Sequence, residues 1–358
     1  MKSFYDRTKS HASSLAFVAG FIWDSLMLSR IDHAFARTML TVYLVLAGIS
    51  IVAINMHEIR RTKGQQPFRY GQFLPLILQF CFGSLFSAYI VFYTQSASLA
   101  VNWPFLIFLI LLVVGNEFYR ARYLSPTFHL CVFFIVLFSY NIFTLPILLG
   151  RMGGDVFVLS GFLTLGIMIL LRLILRFVAP EITVRSRLPL VAGVALIYAL
   201  FNLAYWSNLI PPVPLSLKEI GVYHSVKRLD DGAYSLTFEP SRWYPFFKDT
   251  SETYRRLDTS PVYVWSSVFA PTKLTVPIFY TWSYFDEIDK VWVTTDRVEF
   301  PLVGGREDGY RGYSLKSGVF PARWRVDVET ARHERVGREE FEIVATTTTA
   351  NSLVTETR

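Results

Sequence analysis

The stretch LPLVAGVALIYALFNLAYWSNLIPPVP, residues 188–214, divides the chain into two unlike halves. Residues 188–206 are almost entirely apolar, and the prolines at 211, 212 and 214 cannot continue a helix. Before this stretch, apolar runs alternate with short basic loops. After it, no run is long enough to cross a bilayer. The sequence therefore predicts a membrane-embedded helical bundle over 1–210, followed by a soluble domain.

The composition supports a membrane location. Hydrophobic residues make up 52% of the 358 residues and charged residues only 18%, with a mean hydropathy of +0.36. This balance is too apolar for an average soluble protein. The net charge of +7 comes from the half before Pro211, where membrane orientation explains it better than nucleic acid does. We expect the lipid bilayer as a partner and no nucleic acid.

The helical half contains about seven candidate transmembrane helices, since a bilayer core of roughly 30 Å needs about 20 apolar residues. The apolar runs cover residues 13–28, 36–56, 73–93, 103–118, 128–149, 156–177 and 188–206. The run 13–28 is short and contains Asp24, so it either spans the membrane as an uncleaved first helix or lies in the interface.

The basic residues of the short loops predict the orientation. They concentrate in alternate loops, at Arg60, Arg61, Lys63 and Arg69, at Arg120 and Arg122, and at Arg185 and Arg187. The intervening loop 94–102 has no charge, and 149–155 has only Arg151 and Asp155. By the positive-inside rule the N-terminus is cytoplasmic, and the C-terminal domain lies in the periplasm or outside the cell.

Polar residues inside the apolar runs allow two interpretations. Asp24, Asn116 and Glu117 form a candidate intramembrane polar site, because ionisable groups are costly there and often functional. The structural interpretation is that Glu117 pairs with Arg120 at the helix end. Other neutral polar groups suit interhelical hydrogen bonds: Asn55, Gln79, Asn141 and Asn202.

The soluble half has the period-two pattern of β-strands. Asp230-Asp231-Gly232 between 222–229 and 234–238 predicts a hairpin. Further strands are expected at 262–269, 275–284, 290–300, 309–315, 323–330 and 339–344, while 241–260 is expected to be a loop, with a short helix at 250–257 as the alternative. In 323–330 one face is apolar and the other charged. We predict an all-β, Ig-like antiparallel β-sandwich over 211–345 and a disordered tail over 346–358.

Three segments of the soluble half form a specific order: GGREDGYRGYS at 304–314, WRVDV at 324–328 and VGR at 336–338. This order resembles the C-terminal signature of the domain of unknown function 2914 family. The helical half, with GFIWD at 20–24 and GNEF at 115–118, is similar to the helical region that often precedes that domain in proteobacterial inner-membrane proteins. The resemblance implies a multi-pass protein of the bacterial inner (cytoplasmic) membrane with a periplasmic β domain. The family supplies no established activity.

No catalytic, metal or cofactor motif is found in the sequence. The six histidines are dispersed, and none has a second ligand at metal-binding spacing. The candidate binding patch is a basic and aromatic cluster beside the glycine-rich turn: Arg306, Tyr310, Arg311 and Lys316. It is either a solvated strand edge that blocks strand addition or a contact for an anion or saccharide. The tryptophans of this half are expected mostly in its core.

Two functions from different classes follow. The preferred hypothesis is a non-enzymatic inner-membrane scaffold or accessory protein, whose periplasmic β-sandwich binds an envelope protein or a polymer such as a polysaccharide. The alternative is a small-molecule or lipid transporter or membrane enzyme, with a polar cavity at Asp24, Asn116 and Glu117. The oligomeric state, the ligand and the partner do not follow from the residues.

Overall fold

The computed structural model describes residues 22, 34–96, 99–118, 125–240, 250–257, 259–271, 274–304, 309–346 and 353–358. The chain divides into two compact units. One comprises Met1–Gln95 with Asn102–Pro214, and the other Ser96–Val101 with Leu215–Arg358. The division between Pro214 and Leu215 falls at the end of the proline cluster of the opening stretch.

The first unit is helical. Its elements are α1 (Ala34–Thr62), a short 3-10 helix (Gly71–Phe73), α2 (Leu74–Ser96), α3 (Leu99–Phe118), α4 (Pro126–Leu149), α5 (Gly154–Val178), α6 (Pro180–Arg185) and α7 (Arg187–Trp206). Among the described residues, five stretches are long and apolar enough to cross a membrane, in α1, α2, α4, α5 and α7. In α3 the corresponding apolar stretch is shorter, Asn102–Leu111. The run 13–28 lies outside the described residues except for Ile22.

The helices pack through an aromatic interior. Phe82, Phe134 and Phe138 are fully buried, and the rings of Phe157 and Tyr205 stack with their centroids 3.8 Å apart. Large apolar side chains also remain exposed on the outside of the helices, as expected for surfaces that face lipid instead of water.

Polar side chains inside the helices behave in two ways. Asn141 Nδ2 donates to Thr164 Oγ1 on the neighbouring helix at 2.8 Å, as predicted. Asn55 and Asn202 instead donate to carbonyl oxygens one turn earlier in their own helices, at 2.7 and 2.8 Å. The interhelical prediction is therefore wrong for these two, because an amide can also reach the carbonyl four residues before it.

The second unit contains β-strands. They are β1 (Ser216–Tyr223), β2 (Ser225–Arg228), β3 (Tyr234–Phe238), β4 (Thr253–Leu257), β5 (Val262–Phe269), β6 (Thr275–Asp286), β7 (Val291–Val303), β8 (Tyr310–Lys316), β9 (Ala322–Thr330), β10 (Arg335–Thr346) and β11 (Val354–Thr357). Two sheets have three strands, in the orders β1-β5-β8 and β11-β3-β2. The third has five, in the order β4-β10-β9-β6-β7.

Three details of the β region correct the sequence predictions. First, β4 replaces the expected loop or helix at 253–257. Second, β4 runs parallel to β10, so the five-stranded sheet is mixed and not purely antiparallel. Third, Val354–Thr357 of the supposedly disordered tail pairs with β3. The open edge of β3 provides backbone hydrogen bonds that need no apolar side chains, which explains why a polar tail can join a sheet.

The predicted hairpin turn is confirmed. Gly232 has a φ of +85°, and Leu229 N donates to the Ala233 carbonyl at 2.8 Å. The Asp231 carboxylate accepts a hydrogen bond from Ala233 N at 2.9 Å. Gly232 alone takes the left-handed conformation in this turn, which glycine adopts at no steric cost.

The sheet β1-β5-β8 contacts the five-stranded sheet through alternate side chains. Trp282 Nε1 of β6 donates to Ser314 Oγ of β8 at 3.0 Å, and the hydroxyls of Ser266 and Tyr280 lie 2.7 Å apart. Trp324, Val326 and Val328 of β9 are fully buried, which confirms the apolar face predicted for this strand. The charged residues of β9 point to the opposite face of the same sheet.

Candidate functional site

The structure does not bring the predicted binding patch together on one face. Arg306 lies outside the described residues. Tyr310 points toward the five-stranded sheet, with its ring 5.4 Å from that of Phe300. Lys316 points the same way and pairs with the Asp296 carboxylate, so its side chain is only 14% exposed. Arg311 follows Tyr310 directly and therefore points to the opposite side of β8.

The glycine-rich turn has a packing explanation. A Cβ atom on Gly312 would lie 2.0 Å from the Phe300 ring, and one on Gly304 would lie 1.9 Å from the Pro271 carbonyl oxygen. Gly309 has a φ of +87°, which other residues rarely adopt. These glycines therefore permit close approach between strands. The pairing of β5 with β8 has no register shift, so no bulge is needed there.

The candidate intramembrane polar site is not described. Asp24 lies outside the described residues, and only the backbone of Asn116 and Glu117 is described, within α3. The expectation of a polar cavity at these residues stays a prediction.

A concentration of charged side chains lies on the outer face of the five-stranded sheet. We call it the arginine face, and it consists of Arg297, Arg323, Arg325, Arg335 and Arg338, with the carboxylates and aromatic rings that contact them. The five arginines come from β7, β9 and β10, which are neighbours in the sheet or next to a common neighbour. Register brings them together although they are far apart in sequence.

Asp327 is the shared acceptor of this face. Arg338 contacts both of its oxygens, with Nε–Oδ1 at 2.6 Å and Nη2–Oδ2 at 2.8 Å. Arg335 Nε lies 2.9 Å from Oδ1, while Arg325 Nε is 3.7 Å from Oδ2. Burial and the neighbouring Arg338 charge lower the pKa of the Arg325 guanidinium. Three guanidiniums thus share one carboxylate, and Arg338 Nη1 also lies 3.3 Å from Glu340 Oε1, so three positive charges meet two negative ones.

Aromatic rings hold the arginines at one corner of this face, which we call the Trp292 corner (Phe285, Trp292, Arg323 and Arg325). The Arg325 guanidinium lies 4.3 Å from the centroid of Trp292. The exposed Arg323 guanidinium lies 5.1 Å from Phe285 and 5.8 Å from Trp292. Arg323 pairs with no carboxylate among the residues that the structure describes. Arg325 Nε is buried and has no hydrogen-bond partner there. The exposed Arg323 guanidinium is therefore the group of this corner that can donate to an anion, with the charge of Arg325 beside it.

Glu329 organises the next part of the arginine face. Its Oε1 accepts from Thr281 Oγ1 at 2.7 Å and from Arg297 Nε at 3.0 Å, and it lies 2.9 Å from His333 Nδ1. The Arg297 guanidinium lies 3.9 Å from the Phe279 ring. These contacts occupy Oε1 of Glu329 and fix this part of the sheet surface, whereas the Arg323 guanidinium of the Trp292 corner is exposed.

A separate buried carboxylate, Glu239, joins the end of β3 to β4. His224 Nε2 lies 3.1 Å from its Oε1, and the backbone N–H of Arg255 donates to the same atom at 2.8 Å. The Arg255 guanidinium also contacts it. Burial opposes ionisation, but these hydrogen bonds outweigh it and hold the pKa of Glu239 below its ordinary value of 4.5. These contacts tie the end of β3 to β4.

No group of three or more His, Cys, Asp or Glu residues in the described ranges could hold a metal ion. The sequence pattern did place Arg325, Asp327 and Glu329 on one charged face. Sequence reasoning missed the convergence of Arg335 and Arg338 on Asp327, and the half-buried position of Trp292 on the outer face of the sheet, since the tryptophans were expected mostly in the core. Alternation along residues 291–303 was the only available signal for the latter, and the β-bulge in β7 interrupts it.

Comparison with known proteins agrees with the sequence resemblance. The family described as Protein of unknown function (DUF2914) matches residues 276–343. These residues form a DUF2914 region. This confirms the family recognised from the sequence, and the DUF2914 region contains every residue of the arginine face and of the Trp292 corner.

Other comparisons add little. A search of curated proteins found no match. Among solved structures, the chain is similar to Pseudomonas fluorescens alkylpurine DNA glycosylase AlkC bound to DNA containing an abasic site analog. The identity is 12% and the TM-score 0.24, with 86% of this chain and 99% of that chain covered. A TM-score this low carries no argument about fold or function.

Proposed function

We propose that this protein is a non-enzymatic membrane scaffold or accessory protein that presents its DUF2914 region to an envelope protein or polymer carrying acidic groups. The helical unit anchors the chain in a bacterial inner membrane with its N-terminus in the cytoplasm. The β region lies in the periplasm, with its sheets in an Ig-like sandwich. The observation that carries the proposal is the Trp292 corner, where two guanidinium groups are held on aromatic rings. Arg323 pairs with no carboxylate among the described residues, and Arg325 shares the carboxylate of Asp327 with two other arginines.

The chemistry of the corner fits recognition better than stability alone. Arginine and tryptophan are enriched among residues that dominate binding interfaces. A guanidinium stacked on an aromatic ring loses little further side-chain freedom when it binds a carboxylate or phosphate. Aromatic packing in the described helical interior supports an anchoring role for the bundle over the alternative of a polar transport cavity.

The test is capture of partners by the full-length protein, purified in mild detergent after brief cross-linking and analysed by mass spectrometry. The variant Arg323→Gln/Arg325→Gln should lose its partner by at least tenfold, which corresponds to about 1.4 kcal/mol. Lys227→Gln/Arg228→Gln, exposed on β2, removes the same charge elsewhere and should keep the partner. Arg311→Gln tests the candidate binding patch beside the glycine-rich turn and should have little effect on partner capture.

Polymers require a parallel arm, because mass spectrometry of peptides does not detect them. Sedimentation of purified protein with isolated cell-wall sacculi should depend on Arg323 and Arg325 in the same way if the partner is a polymer. Near-ultraviolet circular dichroism should be unchanged in the variants, which shows that the β region is still folded. Retention of every partner and of sacculus binding by Arg323→Gln/Arg325→Gln would overturn the proposal.

A further inference from the structure

The connection between α5 and α7 is a second surface with the character of a binding site. We define it as residues 176–188, which comprise the last turn of α5, the short helix α6 and the start of α7. Both α5 and α7 are long and apolar enough to cross a membrane, and α5 ends at Val178 while α7 begins at Arg187. Two consecutive crossings joined by so short a connection hold that connection at the bilayer surface.

The backbone of the connection is fixed, while its outer side chains are exposed. Ala179 is fully buried, and Thr183 Oγ1 donates to its carbonyl oxygen at 2.9 Å. Phe177, Leu188 and Val184 are large apolar residues with exposed fractions of 87%, 79% and 75%. Exposed apolar groups on an anchored segment at a membrane surface are stabilised by contact with acyl chains.

The charged residues of the connection are mostly cations without partners. Arg176, Arg185 and Arg187 are exposed, and none pairs with a carboxylate in the described part of the chain. The single acid, Glu181, already pairs with Lys63 from the loop after α1, at 3.4 Å. That pair also places the basic end of α1 beside the connection, which adds Arg60 and Arg61 to the same end of the bundle.

The connection carries both arginines and exposed apolar residues, which suit the headgroup phosphate and the acyl chains of a phospholipid, respectively. We propose that residues 176–188 bind anionic phospholipid, with guanidiniums on the headgroup phosphate and Phe177, Val184 and Leu188 against the acyl chains. Guanidinium groups bind phosphate through paired N–H donors. A zwitterionic lipid binds more weakly because its ammonium group cancels part of the attraction to the arginines. This site is independent of the proposed function of the β region.

The experiment measures lipid bound to the full-length protein in mixed micelles containing equal amounts of phosphatidylglycerol and phosphatidylcholine, by native mass spectrometry. Wild-type protein should retain phosphatidylglycerol preferentially. Each arginine near the surface contributes about fivefold in affinity for anionic lipid. Removing three of them in Arg176→Gln/Arg185→Gln/Arg187→Gln should therefore reduce the preference by at least about fivefold. The variant Arg176→Lys/Arg185→Lys/Arg187→Lys keeps the charge and should retain most of it.

The matched control is Arg151→Gln/Lys227→Gln/Arg228→Gln, which removes the same charge from exposed positions outside the connection. It should bind phosphatidylglycerol as the wild type does. Competition with inorganic phosphate distinguishes the source of the ligand: the lipid site should lose little phosphatidylglycerol at millimolar phosphate. The proposal would be overturned if the control and the glutamine variant lost phosphatidylglycerol equally, or if free phosphate displaced the bound phosphatidylglycerol. If the glutamine variant does not fold, the wild type alone tests the proposal. A wild-type protein that shows no preference for phosphatidylglycerol would overturn it.

Discussion

Asp327 is a single carboxylate that three guanidiniums share on the outer face of the five-stranded sheet. Its side chain is 8% exposed, and those of Arg325, Arg335 and Arg338 are 18–21% exposed. Removing the anion from such a cluster leaves like charges close together in a partly desolvated place. At the residue scale, this aspartate is therefore the position where a change of one atom should have the greatest effect on the sheet.

We predict that Asp327→Asn destabilises the β region by about 3 kcal/mol. This is the lower end of the range for breaking a buried ion pair, because the arginine side chains remain partly exposed to solvent. The melting temperature of the full-length protein in detergent, followed by tryptophan fluorescence, should fall by about 10 °C. Glu342→Gln, an exposed acid on the same face of β10, is the control and should change the melting temperature little. A fall no larger than that of the control would contradict the prediction.

Glu239 makes the folding stability of the β region depend on pH. Its pKa in the folded protein lies below the ordinary value of 4.5 that holds in the unfolded chain. The folded state therefore favours the ionised form. The stability gained from this difference is fully present above about pH 5 and is lost as the pH falls through the folded pKa.

We predict that Glu239→Gln lowers the melting temperature most at neutral pH, and that the difference from wild type shrinks as the pH falls below 4.5. Melting temperatures of both proteins measured between about pH 3.5 and pH 7 test this. Glu252→Gln, an exposed acid before β4, should show a small difference with no such trend. A Glu239→Gln difference that is constant across this range would be inconsistent with the ionised carboxylate being the favoured form.

At the scale of elements, β8 and β7 approach each other closely because Gly312 has no side chain. The Phe300 ring of β7 occupies the place that a Cβ would take. This contact aligns the sheet β1-β5-β8 with the five-stranded sheet, on the side of that sheet opposite to the arginine face.

We predict that Gly312→Ala destabilises the β region by about 1–3 kcal/mol through overpacking against Phe300. Gly318→Ala is the matched control, because nothing lies within 4 Å of its added Cβ. The double variant Gly312→Ala/Phe300→Leu should recover part of the loss, since the smaller side chain makes room. Urea unfolding followed by near-ultraviolet circular dichroism measures all three, and a Gly312→Ala variant as stable as Gly318→Ala would count against this packing role.

At the scale of the whole molecule, the number of crossings depends on α3. If α3 crosses the membrane along with α2, α4, α5 and α7, the chain crosses five times between Arg61 and Pro214. Without α3 it crosses four times, and the two positions face the same side. The described apolar stretch of α3, Asn102–Leu111, is shorter than the others.

We predict that alkaline phosphatase fused after Pro214 is active and that the same fusion after Arg61 is inactive, because the bundle crosses an odd number of times between them and the basic loops face the cytoplasm. A fluorescent protein that folds only in the cytoplasm should give the opposite result at each site. Equal activity at both sites would remove α3 from the set of spans and overturn the orientation proposed for the β region.

The sequence by itself determined most of the elements, with β4 and β11 as exceptions. Strands 234–238 and 262–269 were predicted to the residue, and the helix ends at Leu149 and Trp206 were predicted as observed. These features depend on local properties: apolar run length, alternation, and turn residues such as Gly232. Alternation also shows why the candidate binding patch does not lie on one face. Consecutive residues such as Tyr310 and Arg311 point to opposite faces of a strand.

Only the tertiary structure decided which strands pair and which charges meet. No local pattern indicates that β4 lies parallel to β10, that a polar tail completes the sheet of β3, or that Arg335 and Arg338 converge on Asp327. Strand pairing is set by the combined burial of all faces and by backbone hydrogen bonds, which are the same for every sequence. The arginine face therefore could not be predicted from the sequence, because it depends on the order and register of β7, β9 and β10 in one sheet.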